Sequence, residues 1–392
     1  MYDANTRLRN GLQKLEDADI LLINKKRIKG YKDDCFSRGI SKARVYKIIT
    51  GLRYIAGVLK KDFAKVNIKD IKKVVSYYEQ KEDFSQSTVD DYKIFIKQFY
   101  KWLKGKGEEY TKEVKWIKVN RHRRTRLPQD LLDEDDILKL IAGASHVRDK
   151  CLISVLFDSG MRIGELLSVQ IKHVKFIDKY VELTCPQGKT GARRVLLIPS
   201  VPHLSTWINN HPLRDDPDAP LFVNLDKNRY LSNMTNAGVN IKLKRTAEAV
   251  GIKKKVNPHS FRHASATASA NYLTEAQMKE RFGWTQDSNM ASVYIHLSGR
   301  DVDTAYKKMY GVKIEEAQEK SKLEPVSCIT CKTSNEPDND YCGNCGRPLS
   351  LTVANMERDK RQDADSFFNW LSEDPIWEEV MKKAQEYKKS KN

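Results

Sequence analysis

Residues 257–297 read NPHSFRHASATASANYLTEAQMKERFGWTQDSNMASVYIHL. Pro258 suits the first turn of a helix, and on that helix His259 and Arg262, three apart, share one face. The patterned run ending at Phe282 reads as a second helix closed by Gly283. Trp284 follows that stop, and Tyr294 lies in a further short segment after a polar turn. The stretch delivers a phosphate-binding His–Arg pair, an indole N–H donor and a phenol from successive short helices. A helical core with an ordinary packed Trp and Tyr has the same pattern, so the choice rests on the sequence upstream.

Residues 147–170, VRDKCLISVLFDSGMRIGELLSVQ, read as a buried helix, a Ser-Gly break and a second helix with Arg162 and Glu165 in its first turn. An arginine beside a helix N-terminus suits an anion. An isolated RxGE also suits a plain Arg162–Glu165 pair at i,i+3. KYVELTC (179–185) and RRVLLIP (193–199) read as two strands of a hairpin around PQGKTGA, with Lys189 at its tip between glycines. A turn lysine serves solubility, or swings into a cleft as a proton donor. Residues 221–255 read as a strand or loop followed by a helix, ending in three lysines.

The charge is unevenly spread along the 392 residues. The net formal charge is +18, and residues 1–126 alone hold 32 Lys+Arg against 16 Asp+Glu. Residues 127–312 hold 25 against 20, and residues 313–392 hold 13 against 16. A basic first third ahead of a nearly balanced second suggests a polyanion held by one and worked on by the other. The length suits two or three domains, each able to bury a core. No apolar run reaches membrane-spanning length and no signal peptide follows Met1, so the expected location is the cytoplasm, with the nucleoid.

SKARVYKIITGLRYIAGVLKKD, from Ser41, begins on a serine cap and repeats apolar residues at helical spacing. NIKDIKKVVSYYEQK and SQSTVDDYKIFIKQFYKWLKGKG follow as amphipathic helices with lysine-rich polar faces, so residues 1–120 read as an all-α bundle suited to a DNA backbone. The aromatics Tyr92, Phe95, Phe99 and Trp102 recur on one face and read as core. NRHRRTRLP follows, and residues 121–128 read as a basic linker that either lies along a duplex or simply connects two domains. Asp133 to Asp136 then open a helix whose N-terminus suits negative charge.

SGMRIGELL, GKTG, HSFRH, FGW and VY occur in the order and context of the tyrosine recombinase (phage integrase) family, over roughly residues 41–312. The pattern is most similar to prokaryotic and archaeal integrases and Xer-like enzymes. The resemblance implies a mostly α fold with a small β sheet (α+β): a helical core-binding domain over 1–120 and a catalytic domain over 129–312. It implies DNA cleavage without metal or nucleotide. Tyr294 would attack the scissile phosphate to give a 3′-phosphotyrosine and a free 5′-hydroxyl. Arg162 and Arg262 would clamp the non-bridging oxygens, and Lys189 would protonate the departing 5′-oxygen. His259 would hydrogen-bond the phosphate and help take the tyrosine proton. Trp284 stands where many relatives have histidine; its indole N–H can donate to a phosphate oxygen but cannot carry a proton. His263 and His296 read as structural.

Cys328, Cys331, Cys342 and Cys345 form two CxxC knuckles ten residues apart. This spacing makes a four-thiolate zinc site with no open position, so a structural Zn2+ and a zinc ribbon over 325–350 are expected. Residues 351–392 form a helical tail with an aromatic-rich amphipathic stretch that docks on its own chain or on a neighbouring protomer. The leading expectation is a site-specific recombinase or integrase, a homo-tetramer on synapsed double-stranded DNA that integrates or excises a mobile element. A type IB-like topoisomerase and a catalytically silent DNA-binding regulator are the alternatives.

Overall fold

The structure is a computed structural model describing residues 4–105, 109–119, 130–186, 191–297, 309–310, 321–374 and 376–390. The basic linker expected at 121–128 and the hairpin lysine Lys189 lie outside the described residues. The chain divides into two compact units, Met1–Thr125 and Arg126–Asn392.

The first unit is all-α: α1 (Ala4–Glu16), α2 (Leu22–Ser37), α3 (Lys42–Leu59), α4 (Ile68–Glu79) and α5 (Gln86–Leu103). Asn67 starts α4 by accepting from the backbone of Lys69 and Asp70, while Asp70 reaches back to Asn67 in a capping box. Ser85 caps α5 through the Thr88 N–H. Ser41 sits at the start of α3 but its side chain makes no capping bond, against the expectation from sequence. Tyr92, Phe95 and Phe99 are buried with Tyr31, Phe63 and Tyr100, which places the aromatic face in the core. Lys97 of α5 and Lys104, just past its end, tie down the segment after the helix. Lys97 donates to the Ile117 carbonyl at 3.0 Å and Lys104 to the Glu113 carboxylate at 3.0 Å. Lys93 is buried and pairs with Glu79 and Asp90. The remaining excess is carried by exposed lysines such as Lys69, Lys72 and Lys73 of α4.

The second unit is α+β. Its helices, among the described residues, are α6 (Glu134–Gly143), α7 (Val147–Ser159), α8 (Ile163–Leu166), α9 (Val201–Asn209), α10 (Asn236–Ala249), α11 (Pro258–Ala270), α12 (Glu275–Phe282) and α13 (Met290–Leu297), then α14 (Leu351–Glu373) and α15 (Ile376–Ser390). None of the described helices is long and apolar enough to cross a membrane. Asp133 caps α6 in a box with Asp136, and Lys254 bridges both carboxylates. Strands β1 (Val174–Ile177), β2 (Tyr180–Cys185) and β3 (Arg193–Leu197) form an antiparallel meander. The register pairs Cys185 with Arg193 and Ile177 with Tyr180. Strand β1 was not foreseen in the sequence, because four residues of mixed exposure carry little periodicity.

α7 is the centre of this unit. All residues from Cys151 to Ser159 are buried. Its carboxylate Asp158 accepts from the Ile198 and Ser200 N–H groups and the Ser200 hydroxyl, fixing the exit of β3 against the helix. Burial pushes the Asp158 carboxyl up, against those donors. Trp207 of α9 closes the core and donates its indole N–H to the Leu221 carbonyl at 2.8 Å.

Candidate active site

Two helix C-termini and one strand build the site. α7 ends at Gly160, where φ is 55°, and α12 ends at Gly283, where φ is 57°. These left-handed positions favour glycine. A Cβ on Gly160 would meet the Phe282 ring at 2.3 Å, and one on Gly283 would meet the Arg193 guanidinium at 2.8 Å. The bare Gly160 lets Phe282 at the end of α12 approach the end of α7, and the bare Gly283 leaves room for Arg193 of β3.

The terminal carbonyls of a helix have no partner within it and carry partial negative charge. Here they hold arginines. Arg262 of α11 donates to the Gly160 carbonyl at 2.8 Å and to the Phe282 carbonyl at 2.6 Å. Arg162 donates through both terminal nitrogens to the Gly283 carbonyl, each at 3.2 Å. Arg262 is 5 % exposed, and its guanidinium lies over the Phe282 and Trp284 rings, 5.4 Å from each centroid. Burial first, then the neighbouring Arg162 charge, lowers it to about 10, with Glu165 opposing and Arg193 adding to the fall.

Glu165 is the carboxylate within this group. It takes Arg162 on Oε1 at 2.8 Å and Arg193 on Oε2 at 2.8 Å. Burial alone would raise it; the Arg193 and Arg162 guanidiniums outweigh that and hold it below the usual carboxylate range. The Arg162–Glu165 pair is thus real, and the arginine also makes the second, long-range tie to Gly283. Arg162 stands at the start of α8, as read from sequence, and α8 is a single turn of four residues. Arg162 and Arg193 share the Glu165 carboxylate and Arg262 is held by carbonyls, so the group carries excess positive charge.

Tyr294 completes the cluster from α13. It is 4 % exposed and packs with Ala266, Ala270, Met278 and Phe282. Its ring stacks on Trp284, with centroids 5.6 Å apart and planes within 4°, and Trp284 stacks in turn on Phe282. The Tyr294 hydroxyl is hydrogen-bonded to Nδ1 of His263. His259, one turn earlier on α11 and exposed, lies edge-on to His263 with ring centroids 4.2 Å apart. Tyr272 and Tyr310 are 74 % and 65 % exposed.

The structure therefore gathers Arg162, Arg262, Trp284 and Tyr294, with His259 beside them through His263. Lys189 lies outside the described residues. Two further side chains lie in this group. His263, which reads from sequence as structural, is hydrogen-bonded to the Tyr294 hydroxyl, and its place four residues after His259 puts both rings on one helix face. Arg193 was seen only as a strand residue. Strand alternation sends one of the adjacent arginines 193 and 194 inward, and the period of two does not say which.

The four cysteines form a separate cluster. Strands β4 (Val326–Ser327) and β5 (Ser334–Asn335) pair antiparallel, and Lys332 and Gly346 take left-handed φ just after each CxxC. The ligand sulfurs all lie within 4.8 Å of one another. Cys328 and Cys345 are 3.6 Å apart, and Cys331 and Cys342 are 3.5 Å apart. A zinc tetrathiolate with Zn–S of about 2.3 Å has edges of about 3.8 Å, so the four residues fit such an ion. The segment rests on the second unit: Glu336 pairs with the buried His203 of α9 at 3.1 Å. Lys322 and Ser321 bind Asp135 and Glu134 at the start of α6.

Residues 130–300 match the phage integrase family. The chain is 26 % identical over 229 residues to a tyrosine recombinase of Thermosipho africanus (strain TCF52B), covering 57 % of this chain and 76 % of that protein. Its fold is similar to that of a lambda integrase dimer bound to a COC′ core site, with TM-score 0.55, 18 % identity, and 70 % and 78 % of the two chains covered. It is also similar to a lambda integrase tetramer bound to a Holliday junction, with TM-score 0.52, 16 % identity, and 67 % and 77 % covered. The clustered tyrosine and the two carbonyl-anchored arginines thus lie within a segment, residues 130–300, that matches the phage integrase family, in a chain similar to tyrosine recombinases.

Proposed function

We propose that this protein is a site-specific DNA recombinase that cleaves and rejoins strands through a phosphotyrosine, in the service of integrating or excising a mobile element. The observation that carries the reading is that Tyr294 stacks on the Trp284 ring over which the Arg262 guanidinium also lies, near Arg162 and Arg193 on their shared Glu165 carboxylate. A diester phosphate entering that group would meet the excess positive charge, which also offsets the charge that builds as the phosphorus becomes five-coordinate.

In this reading Tyr294 attacks phosphorus, and Arg162 and Arg262 hold the non-bridging oxygens. His259, on the exposed side of α11, donates to the phosphate, and Trp284 supports the tyrosine ring and offers its indole N–H. Lys189 protonates the departing 5′-oxygen. The partner is double-stranded DNA, and the basic first unit grips its backbone. The lambda integrase tetramer on a Holliday junction supports a homo-tetramer on synapsed DNA for this chain as well. The four cysteines hold one structural Zn2+, which folds their short segment and takes no part in strand transfer. The protein acts in the cytoplasm, at the nucleoid.

The test is covalent trapping. Wild type and Tyr294→Phe are incubated with nicked duplexes carrying candidate attachment sites and resolved on denaturing gels. An adduct with wild type alone supports the reading, and an adduct that persists in Tyr294→Phe refutes the assignment of the nucleophile. Relaxation of supercoiled DNA lacking such sites would favour a topoisomerase instead.

A further inference from the structure

A phenol at neutral pH is a poor nucleophile, with a pKa of about 10, and attack on phosphorus requires its proton to leave. A candidate base must lie within hydrogen-bond reach of that proton. His263 does. Its Nδ1 is hydrogen-bonded to the Tyr294 hydroxyl, and the two rings are tilted by 44° with centroids 5.8 Å apart. The contact joins α11 to α13 and is backed by the His259 ring, edge-on at 4.2 Å.

We propose that His263 is the general base that takes the proton from Tyr294, and that His259 is left to the phosphate and to holding the His263 ring. The proposal rests on the recombinase reading and deepens it. In the forward step the Tyr294 oxygen bonds to phosphorus and the P–O5′ bond breaks. The phenolic proton passes to Nδ1 of His263, which requires the tautomer with its hydrogen on Nε2. The departing 5′-oxygen takes its proton from a separate acid, the role proposed for Lys189. On rejoining, the 5′-hydroxyl gives its proton back to that acid as its oxygen bonds to phosphorus, the P–O bond to tyrosine breaks, and Nδ1 returns its proton to the tyrosyl oxygen.

The charged surroundings suit this transfer. On α11 itself, His259 and Arg262 flank His263. Beyond Arg262 stand Arg162, before α8, and Arg193 on β3, with Glu165 as their shared counter-charge. Of the charged groups on the other packed helices, Asp158 of α7 is bound by Ser200 and Arg281 of α12 by the Asp158 carbonyl. Lys279 of α12 is paired with Glu275. Thus the excess charge near the phenol is positive, which favours an oxygen that becomes anionic.

The full chain with 3-fluorotyrosine at position 294 supplies a test that needs no DNA site. Its fluorine resonance is followed by NMR from about pH 5 to 9 in wild type, His263→Ala, His263→Gln and His259→Ala. An imidazole titration step, distinct from that of the fluorophenol itself, is expected in wild type and His259→Ala and should vanish in both His263 variants. Absence of that step in wild type, or its persistence in the His263 variants, overturns the contact. Adduct formation is then timed against pH. Loss of His263 should slow it at least about 100-fold and leave a rate that keeps rising with pH, partly restored by the more acidic fluorophenol. A His263 variant that forms adduct at the wild-type rate and pH profile refutes the base. A wild type with the NMR step but no adduct on any site-bearing duplex refutes the recombinase reading, and the catalytic role with it.

Discussion

Arg193 holds Oε2 of Glu165 at 2.8 Å, on the opposite side of the carboxylate from Arg162. The carboxylate is therefore divided between the two arginines. Oε2 also accepts the Arg162 backbone N–H at 3.2 Å, so Glu165 holds Arg162 by backbone and side chain while the guanidinium still reaches the Gly283 carbonyl. A strand residue thus shares the carboxylate that holds an arginine the family resemblance assigns to phosphate binding.

Glu165→Gln removes the counter-charge from three guanidiniums. With Glu165 only 5 % exposed, the loss should destabilise the second unit by about 2–3 kcal/mol, read as a lower urea midpoint. The pH dependence has a definite sign. The folded carboxyl lies below its unfolded value of about 4.3, so its contribution is complete above that pH and is lost as the pH falls through the lowered folded value. Wild type should therefore lose stability relative to Glu165→Gln on acidification below about pH 4.3, narrowing the gap between them.

Gly283→Ala acts twice. The left-handed φ of 57° costs an alanine about 1–2 kcal/mol, and its Cβ would press on the Arg193 guanidinium. Because the Gly283 carbonyl holds Arg162, adduct formation should fall by at least about tenfold even at temperatures where the chain stays folded. Circular dichroism with timed trapping on one preparation separates the two effects.

Tyr272→Phe and Tyr310→Phe should leave covalent trapping unchanged. Both side chains are largely exposed, whereas Tyr294 is buried against Trp284 and bonded to His263. An adduct lost in either variant and retained in Tyr294→Phe would move the nucleophile.

Cys328→Ser should release the metal and unfold the segment from Val326 to Leu349, since two paired residues per strand give no independent stability. Native protein treated with a mercurial should yield one zinc per chain by a colorimetric chelator. Limited proteolysis should then cut the variant within this segment and spare the helices of the catalytic core.

Much of the site was legible because its spacing is local. The His259–Arg262 interval, the Gly283 stop and the Arg162–Glu165 interval each depend on one helix or turn, where periodicity carries the information. The His263–Tyr294 bond and the role of Arg193 depend on how α11 meets α13 and on which face β3 turns inward, and neither is written in any single window. The same holds for the first unit, where a lysine-rich pattern predicted a solvated face but Lys93, Lys97 and Lys104 fold back onto carboxylates and carbonyls. Long-range ties are decided by tertiary packing, which sequence periodicity does not encode.

The two arginines of the site are exchanged between distant stretches of chain. The stretch 160–162 sends Arg162 to Gly283 and receives Arg262 on Gly160, across 121 and 102 residues. A nascent or partly opened chain therefore cannot assemble half of the pocket, since each half is completed by the other. For a strand-cutting enzyme this reciprocity acts as a safeguard, because the positions of both arginines depend on the same distant stretches having closed on each other.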